Sequence, residues 1–250
     1  MPRRRIKASM PDAGEYAVAS TSAGKTYVIK LIFHRTLQER SGVHPTLVRL
    51  DDPFAAQWIR MLTDTPPRKK NRESFSISDR TKGLELPRDG QLVRLAGSIE
   101  SAMRNGAIGD VRVACAEFLG TASDFYNVPP CPIRVLTARP LRVQEYSTTE
   151  LFGDPHPSTM LIRVWTRTAV RKEITSFGTF LSTLCHEFCH HLDFHRFGFR
   201  DSWHTRGFYE RAGALYHHSK GTSAKELFWL PATGRRWRID WPRTNRSRSS

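Results

Sequence analysis

Apolar positions recur along this chain with two different periods, and each period predicts its own kind of element. Residues 15–33 alternate: Tyr16 and Val18, then Tyr27 to Phe33, around a turn at Ser22-Ala23-Gly24-Lys25. Alternation of this kind predicts a strand hairpin. Residues 53–63 predict a short helix opened by Pro53 after Asp52. Residues 65–90 are polar, are broken by Pro66-Pro67, and read as a linker or long loop. Helical spacing then returns twice, as Leu92, Leu95, Ile99 and Met103 over 91–105, and as Val111, Ala114, Phe118 and Phe125 over 110–126. Val128-Pro129-Pro130 ends the second of these. Short strands are expected at 133–136 and 161–165, separated by a loop holding Gly153, Pro155 and Pro157. A long helix over 175–197 stops at Gly198, and another over 203–218 has Asp201 or Ser202 as its N-cap and Gly221 beyond its end.

The long helix contains Cys185-His186-Glu187-Phe188-Cys189-His190-His191, so His186, Glu187 and His190 form an HExxH pattern. Residues four apart on a helix stand one above the other, about 40° apart around the axis. Both imidazoles can therefore converge on one metal ion. Glu187 follows His186 by about 100° and stands beside that ion, placed to deprotonate a zinc-activated water. The periodic apolar face Phe177, Phe180, Leu181, Leu184, Phe188 and Leu192 supports a helix through the motif.

A catalytic zinc ion has three protein ligands and one open position. Asp193 shares the ligand face but lies about 10 Å up the axis from His186. It fits a hydrogen-bond acceptor behind a ligand, or a helix-packing residue. His195 points to the opposite face and His191 lies off the ligand stripe. His204, 14 residues after His190 and past the Gly198 turn, is the first choice for third ligand; Glu210 is the second. Cys185 and Cys189 read as small buried hydrophobes. His217 and His218, at the end of the second helix, read as surface or helix-dipole-compatible positions rather than ligands. Arg206, Tyr209 and Arg211 are candidates to touch an oxyanion or substrate. The stretch Ala19 to Thr26 loosely imitates a phosphate-binding loop, but a strand-like run follows where a helix is required, so a hairpin turn is the reading.

The run from His186 to Tyr216 resembles the SprT-like and minigluzincin metallopeptidases. These carry HExxH on one helix, then a histidine near the start of the next, followed closely by an aromatic pair, here His204 and Phe208-Tyr209. The resemblance reaches over about residues 110–218. It implies an α+β fold with a zincin-like catalytic core: a small sheet and an HExxH active-site helix. It further implies zinc held by His186, His190 and His204, Glu187 as general base, and residues 161–165 as the strand that aligns a peptide beside the cleft by backbone pairing. The expected organisation is an N-terminal β-containing extension (1–64), a basic linker or long loop (65–90), an SprT-like peptidase domain (91–220) and a basic C-terminal tail (221–250). The four-cysteine ribbon of many SprT relatives is absent, since Cys115, Cys131, Cys185 and Cys189 contain no CxxC pair.

Charge adds a candidate partner. Lys and Arg number 39 against 24 Asp and Glu, a net of +15. Most of the excess sits at the ends and in the linker: residues 1–10 hold four basic residues and no acidic one, residues 65–90 seven against four, and residues 219–250 eight against two. One reading is a soluble basic protein; the other is a grip on DNA or RNA. The tail from about residue 232 reads as disordered, although Trp237, Ile239 and Trp241 alternate with basic residues as a packed strand would. No apolar run is long enough for a membrane helix and no secretory signal follows Met1. A cytoplasmic protein is expected, nucleoid-associated or nuclear if it binds DNA. The leading expectation is a zinc metallopeptidase acting on proteins or peptides, including nucleic-acid-associated ones. The alternatives are a nucleic-acid-binding protein with a structural or degenerate zinc site, and a toxin or processing factor with one narrow target.

Overall fold

The computed structural model describes residues 62–138, 161–168 and 172–246 in full, and the backbone of the strands within 16–20, 26–30, 141–144, 147–150 and 153–156. The chain divides into two compact units, Met1–Asp52 and Pro53–Ser250. In the first, β1 (Tyr16–Ser20) pairs antiparallel with β2 (Thr26–Lys30), Val18 opposite Val28. A strand follows Lys25, as the alternation requires, where a phosphate-binding loop needs a helix. The expected helix over 53–63 falls mostly outside the described residues. Its last two residues, Leu62 and Thr63, are extended: Leu62 forms a β-bridge with Arg238, and Thr63 N–H donates to the carbonyl of Trp237 at 2.8 Å.

The second unit is an α+β assembly of helices and small sheets. Among the described residues its α-helices are α1 (Arg72–Arg80), α2 (Gln91–Asn105), α3 (Ile108–Tyr126), α4 (Phe177–His195), α5 (Arg206–Lys220) and α6 (Trp241–Arg246). Periodicity marks α2 and α3 closely, because each stacks an apolar stripe: Leu92, Ala96, Ile99 and Met103 on one, Val111, Cys115, Phe118, Leu119 and Ala122 on the other, all buried. Gly106 (φ 79°) closes α2 by donating its N–H to Ala102 O at 3.1 Å in a left-handed cap. Helix α4 begins where the Ser176 hydroxyl accepts the Thr179 N–H at 3.3 Å. Phe180, Leu181, Leu184, Cys185, Phe188 and Leu192 on α4 then enter the same core as α2 and α3.

Against this layer lies a three-stranded sheet in the order β3-β7-β6. Strand β3 (Ile133–Ala138) is parallel to β7 (Leu161–Arg167), Val135 opposite Val164, and β6 (Gly153–His156) is antiparallel to β7, Pro155 opposite Ile162. Strands β4 (Leu141–Gln144) and β5 (Ser147–Glu150) form a separate hairpin within the stretch expected to be loop. Strand β7 is thus the middle of its sheet. Beyond β6, its last residues bond to the returning chain, with Thr175 N–H donating to Thr166 O at 2.8 Å. The resemblance makes residues 161–165 the strand that aligns a peptide by backbone pairing; this is corrected, because β7 already pairs with β3 on one side and β6 on the other, and among the described residues β3 and β6 are the outer strands. Ile162, Val164 and Trp165 are all buried. Apolar side chains buried on both faces of the strand, despite the intervening Arg163, fit packing on both sides and say nothing of edge position.

Two basic stretches are also more ordered than their composition implies. Residues 65–90 contain α1, which packs against α5. The C-terminal stretch forms β8 (Trp229–Ala232) and β9 (Arg236–Ile239), antiparallel with Trp229 opposite Ile239, then α6. Ile239, Trp229, Trp241 and Leu227 join a second core cluster with Cys189, Phe208, Tyr209 and Ala212. Apolar alternation, not Arg content, decides this segment, because burying those side chains offsets the entropy of ordering it.

Candidate metal centre

Helix α4 places His186 and His190 one turn apart on the same face. The chain then turns at Gly198 (φ 71°) and Ser202 (φ 38°) and delivers His204 two residues ahead of α5. The N-cap of α5 is Thr205, whose hydroxyl accepts the Phe208 N–H at 3.1 Å. Asp201 and Ser202, the caps expected from the sequence, both serve elsewhere. Asp201 accepts from Asn71 Nδ2 at 2.7 Å, and Ser202 turns toward His190.

Three ring nitrogens meet at one point. His186 Nε2 and His204 Nε2 are 3.1 Å apart, His190 and His204 3.2 Å, and His186 and His190 3.3 Å. Tetrahedral ligands at about 2.0–2.1 Å from a zinc ion stand about 3.3–3.4 Å from one another, close to the spacing seen. Among the described residues these three side chains form the group able to hold a metal ion. Each of the three residues is half-buried. Phe208, fully buried on α5, is the shared floor: its ring centroid lies 4.4 Å from that of His190, 4.9 Å from His186 and 5.2 Å from His204. Tyr209 stacks on His204 at 5.8 Å.

The outer nitrogens establish which atoms face inward. His190 Nδ1 lies 2.8 Å from Ser202 Oγ, and Ser202 Oγ donates to Asp193 Oδ2 at 3.2 Å. The serine has one proton to give and gives it to the carboxylate, so it accepts from His190 Nδ1–H. His190 Nε2 therefore carries a lone pair directed into the cluster. Asp193 is thus the hydrogen-bond acceptor behind a ligand that its position on the helix allowed. Burial pushes its carboxyl up, to about 6, against the pull of Arg211. Burial, and then the neighbouring imidazoles, hold His190 down to about 3 and His186 well below the ordinary histidine value. Three ring nitrogens at this spacing, one of them the His190 lone pair, fit a cation placed between them, and that is the fit of this donor set to a metal. His186 Nδ1 is buried without a hydrogen-bond partner.

Glu187 is buried one residue after His186. Its charge is felt by Cys131, whose thiol is pushed up to about 12 by burial first and by Glu187 second. The remaining candidates are occupied elsewhere. Glu210 accepts from Trp229 Nε1 at 3.2 Å and faces Lys82 at 3.4 Å. Arg206 pairs with Asp79 and lies over the Trp237 ring at 4.6 Å. Arg211 is fully buried against Asp193. His191 donates to Pro129 O at 2.8 Å, and Cys185 and Cys189 are buried free thiols. His217 is buried in the last turn of α5, a position compatible with the helix dipole and apart from the cluster.

Comparison of the chain with protein-family models, with curated proteins and with solved structures found no match.

Sequence reasoning missed Asp64. Its N–H donates to the His204 carbonyl at 2.9 Å, and its Oδ2 accepts the His204 N–H at 2.9 Å. The same oxygen lies 3.6 Å from His204 Nδ1. Burial acts to raise the Asp64 carboxyl, but the hydrogen bonds and charge of His204 outweigh it and hold the group below its ordinary value. No local signal marks this aspartate, which stands 140 residues before its partner.

Proposed function

We propose that this protein is a zinc-dependent metallopeptidase with a zincin-like core, in which His186, His190 and His204 hold the metal and Glu187 is the general base. The observation that carries the reading is the convergence of three imidazole nitrogens within 3.3 Å, with a buried carboxylate on the same helix one residue from the first ligand. The HExxH-to-histidine resemblance to SprT-like peptidases supports the same assignment. A bound zinc ion supplies Lewis acidity, which polarises the scissile carbonyl and acidifies water. Glu187 takes the proton from the attacking water and returns it to the leaving amine. Ser202 keeps His190 in the tautomer that ligates through Nε2, and the Phe208 ring keeps water off the inner side of the cluster.

The reading extends to proteins associated with nucleic acid, on the strength of the +15 charge. A nucleic-acid-binding protein with a purely structural metal site is the second reading. The half-exposed cluster and the adjacent Glu187 favour the enzyme, since a structural site closes its coordination and needs no base.

The deciding experiment measures zinc content by mass spectrometry and cleavage of an unfolded protein substrate, for wild type, Glu187→Gln and His186→Ala. Glu187→Gln is expected to retain one zinc and lose hydrolysis. His186→Ala is expected to lose both. Wild-type hydrolysis by Glu187→Gln would remove Glu187 as the base and the mechanism with it.

A further inference from the structure

The short stretch Leu62–Asp64 is threaded between the C-terminal hairpin and the loop that carries the third imidazole. Leu62 is bridged to Arg238 of β9. Thr63, almost fully buried, bonds twice to Trp237: its N–H donates to the Trp237 carbonyl at 2.8 Å and its hydroxyl accepts the Trp237 N–H at 2.8 Å. Asp64 then bonds twice to the backbone of His204, as described above. Four bonds to backbone groups tie down these two successive residues, and one of them, from the His204 N–H, holds the Asp64 carboxylate itself. It is fixed on the Nδ1 side of His204, the side opposite the nitrogen that faces His186 and His190.

This placement answers a need specific to His204. His186 and His190 are held by a regular helix, whose geometry alone sets their spacing. His204 lies outside both helices, on a loop whose backbone passes through a left-handed residue at Ser202. An imidazole that ligates through Nε2 carries its proton on Nδ1, and that N–H requires an acceptor. A carboxylate acceptor also makes Nε2 a stronger donor to a metal. His190 receives a neutral hydroxyl from Ser202, and His186 Nδ1 has no partner. Of the three outer nitrogens, that of His204 is the one with a carboxylate oxygen beside it, at 3.6 Å, an ion-pair rather than a hydrogen-bond distance.

We propose that Asp64 is a positioning residue of the metal centre: its carboxylate, delivered by the Leu62–Asp64 segment, holds His204 in the Nδ1–H tautomer with Nε2 aimed at the metal. The segment expected to be the end of an N-terminal extension is thereby a built part of the site. The inference rests on the metal-centre reading but not on peptidase activity, and its test needs no substrate.

The test uses the full chain, as wild type, Asp64→Asn and Asp64→Ala. Zinc affinity is measured by competition with a chromogenic chelator, the visible spectrum is recorded after cobalt loading, and the unfolding midpoint of the metal-free protein is followed by circular dichroism. Asparagine can still accept the His204 backbone N–H but has no charge to offer Nδ1. Asp64→Asn should therefore unfold close to wild type while zinc affinity falls about 10–100-fold, and the cobalt absorption should shift or weaken. Asp64→Ala should show the same loss of affinity with a lower midpoint. If it fails to fold, Asp64→Asn decides. Zinc affinity within about twofold of wild type, a margin well inside the loss expected for such partners, together with an unchanged cobalt spectrum, would reduce Asp64 to a backbone tie and overturn the proposal. Failure of the wild type itself to bind zinc or cobalt would overturn the metal centre, an outcome visible in a different arm of the experiment.

Discussion

Arg211 and Asp193 form an ion pair that solvent does not reach: Nη2 and Oδ1 are 2.7 Å apart and both side chains are 0% exposed. The pair joins α5 to α4, one helical turn beyond the metal-ligand stripe. The guanidinium also donates to the carbonyls of Ser78 and Thr81 at the end of α1, and lies over the rings of Phe197 at 5.1 Å and Phe199 at 5.5 Å. One side chain thus ties three helices and, through Asp193 and Ser202, reaches His190.

Removing one partner of a buried pair leaves an uncompensated charge. Arg211→Met is expected to lower the unfolding free energy of the metal-free protein by about 3–5 kcal/mol, measured by urea denaturation. Adding Asp193→Asn, which removes the stranded charge and leaves an acceptor for Ser202, should recover part of that loss. A single variant as stable as wild type would show that the pair is not sequestered.

Gly207 is the point of closest approach between α5 and the end of α1. A Cβ at this position would meet the Ser78 carbonyl, and would stand 2.6 Å from Thr81 O and 3.1 Å from Asp79 O. All three atoms are backbone and cannot swing away. Gly207→Ala is therefore expected to destabilise the protein by about 1–3 kcal/mol, although alanine is the better helix former. Thermal unfolding measures this directly. A neutral or stabilising effect would mean that α1 is not seated on α5.

The basic surface gives a third expectation. Arg235 Nη2 donates to Pro66 O at 3.3 Å, so the C-terminal hairpin meets the stretch that carries exposed Arg68, Lys69, Lys70 and Arg72. If this face grips phosphates, replacing Arg68, Lys69 and Lys70 by glutamine should weaken binding to DNA or RNA with little sequence preference. The salt dependence should become shallower by roughly one unit for each phosphate no longer neutralised. Zinc content should be unchanged. Substitution is the appropriate test, because truncation at residue 232 would remove buried Ile239 and the bonds to Thr63, and truncation at 243 would remove Thr244, whose hydroxyl accepts the Phe228 N–H at 3.1 Å. No binding by the wild type at low ionic strength would end the nucleic-acid reading.

The chain's own sequence determined whatever depends on neighbours a few residues away. The i, i+4 spacing of His186 and His190 fixes both imidazoles on one face wherever the helix lies, and the stripes of α2 and α3 specify those helices within a residue or two. The turn at Gly198 made His204 the natural third member. Tertiary structure alone decided the rest. Whether β7 is a central or an edge strand depends on which strands arrive beside it, and its apolar run is the same in both cases. Whether an Arg-rich tail folds depends on a site for Trp229, Trp241 and Ile239, which α4 and α5 provide. Asp64 lies 140 residues from His204, and no periodicity links them. The physical reason is the same throughout: helix geometry is set by bonds within the segment, whereas strand neighbours, buried tails and the carboxylate behind a ligand are set by long-range closure of the chain.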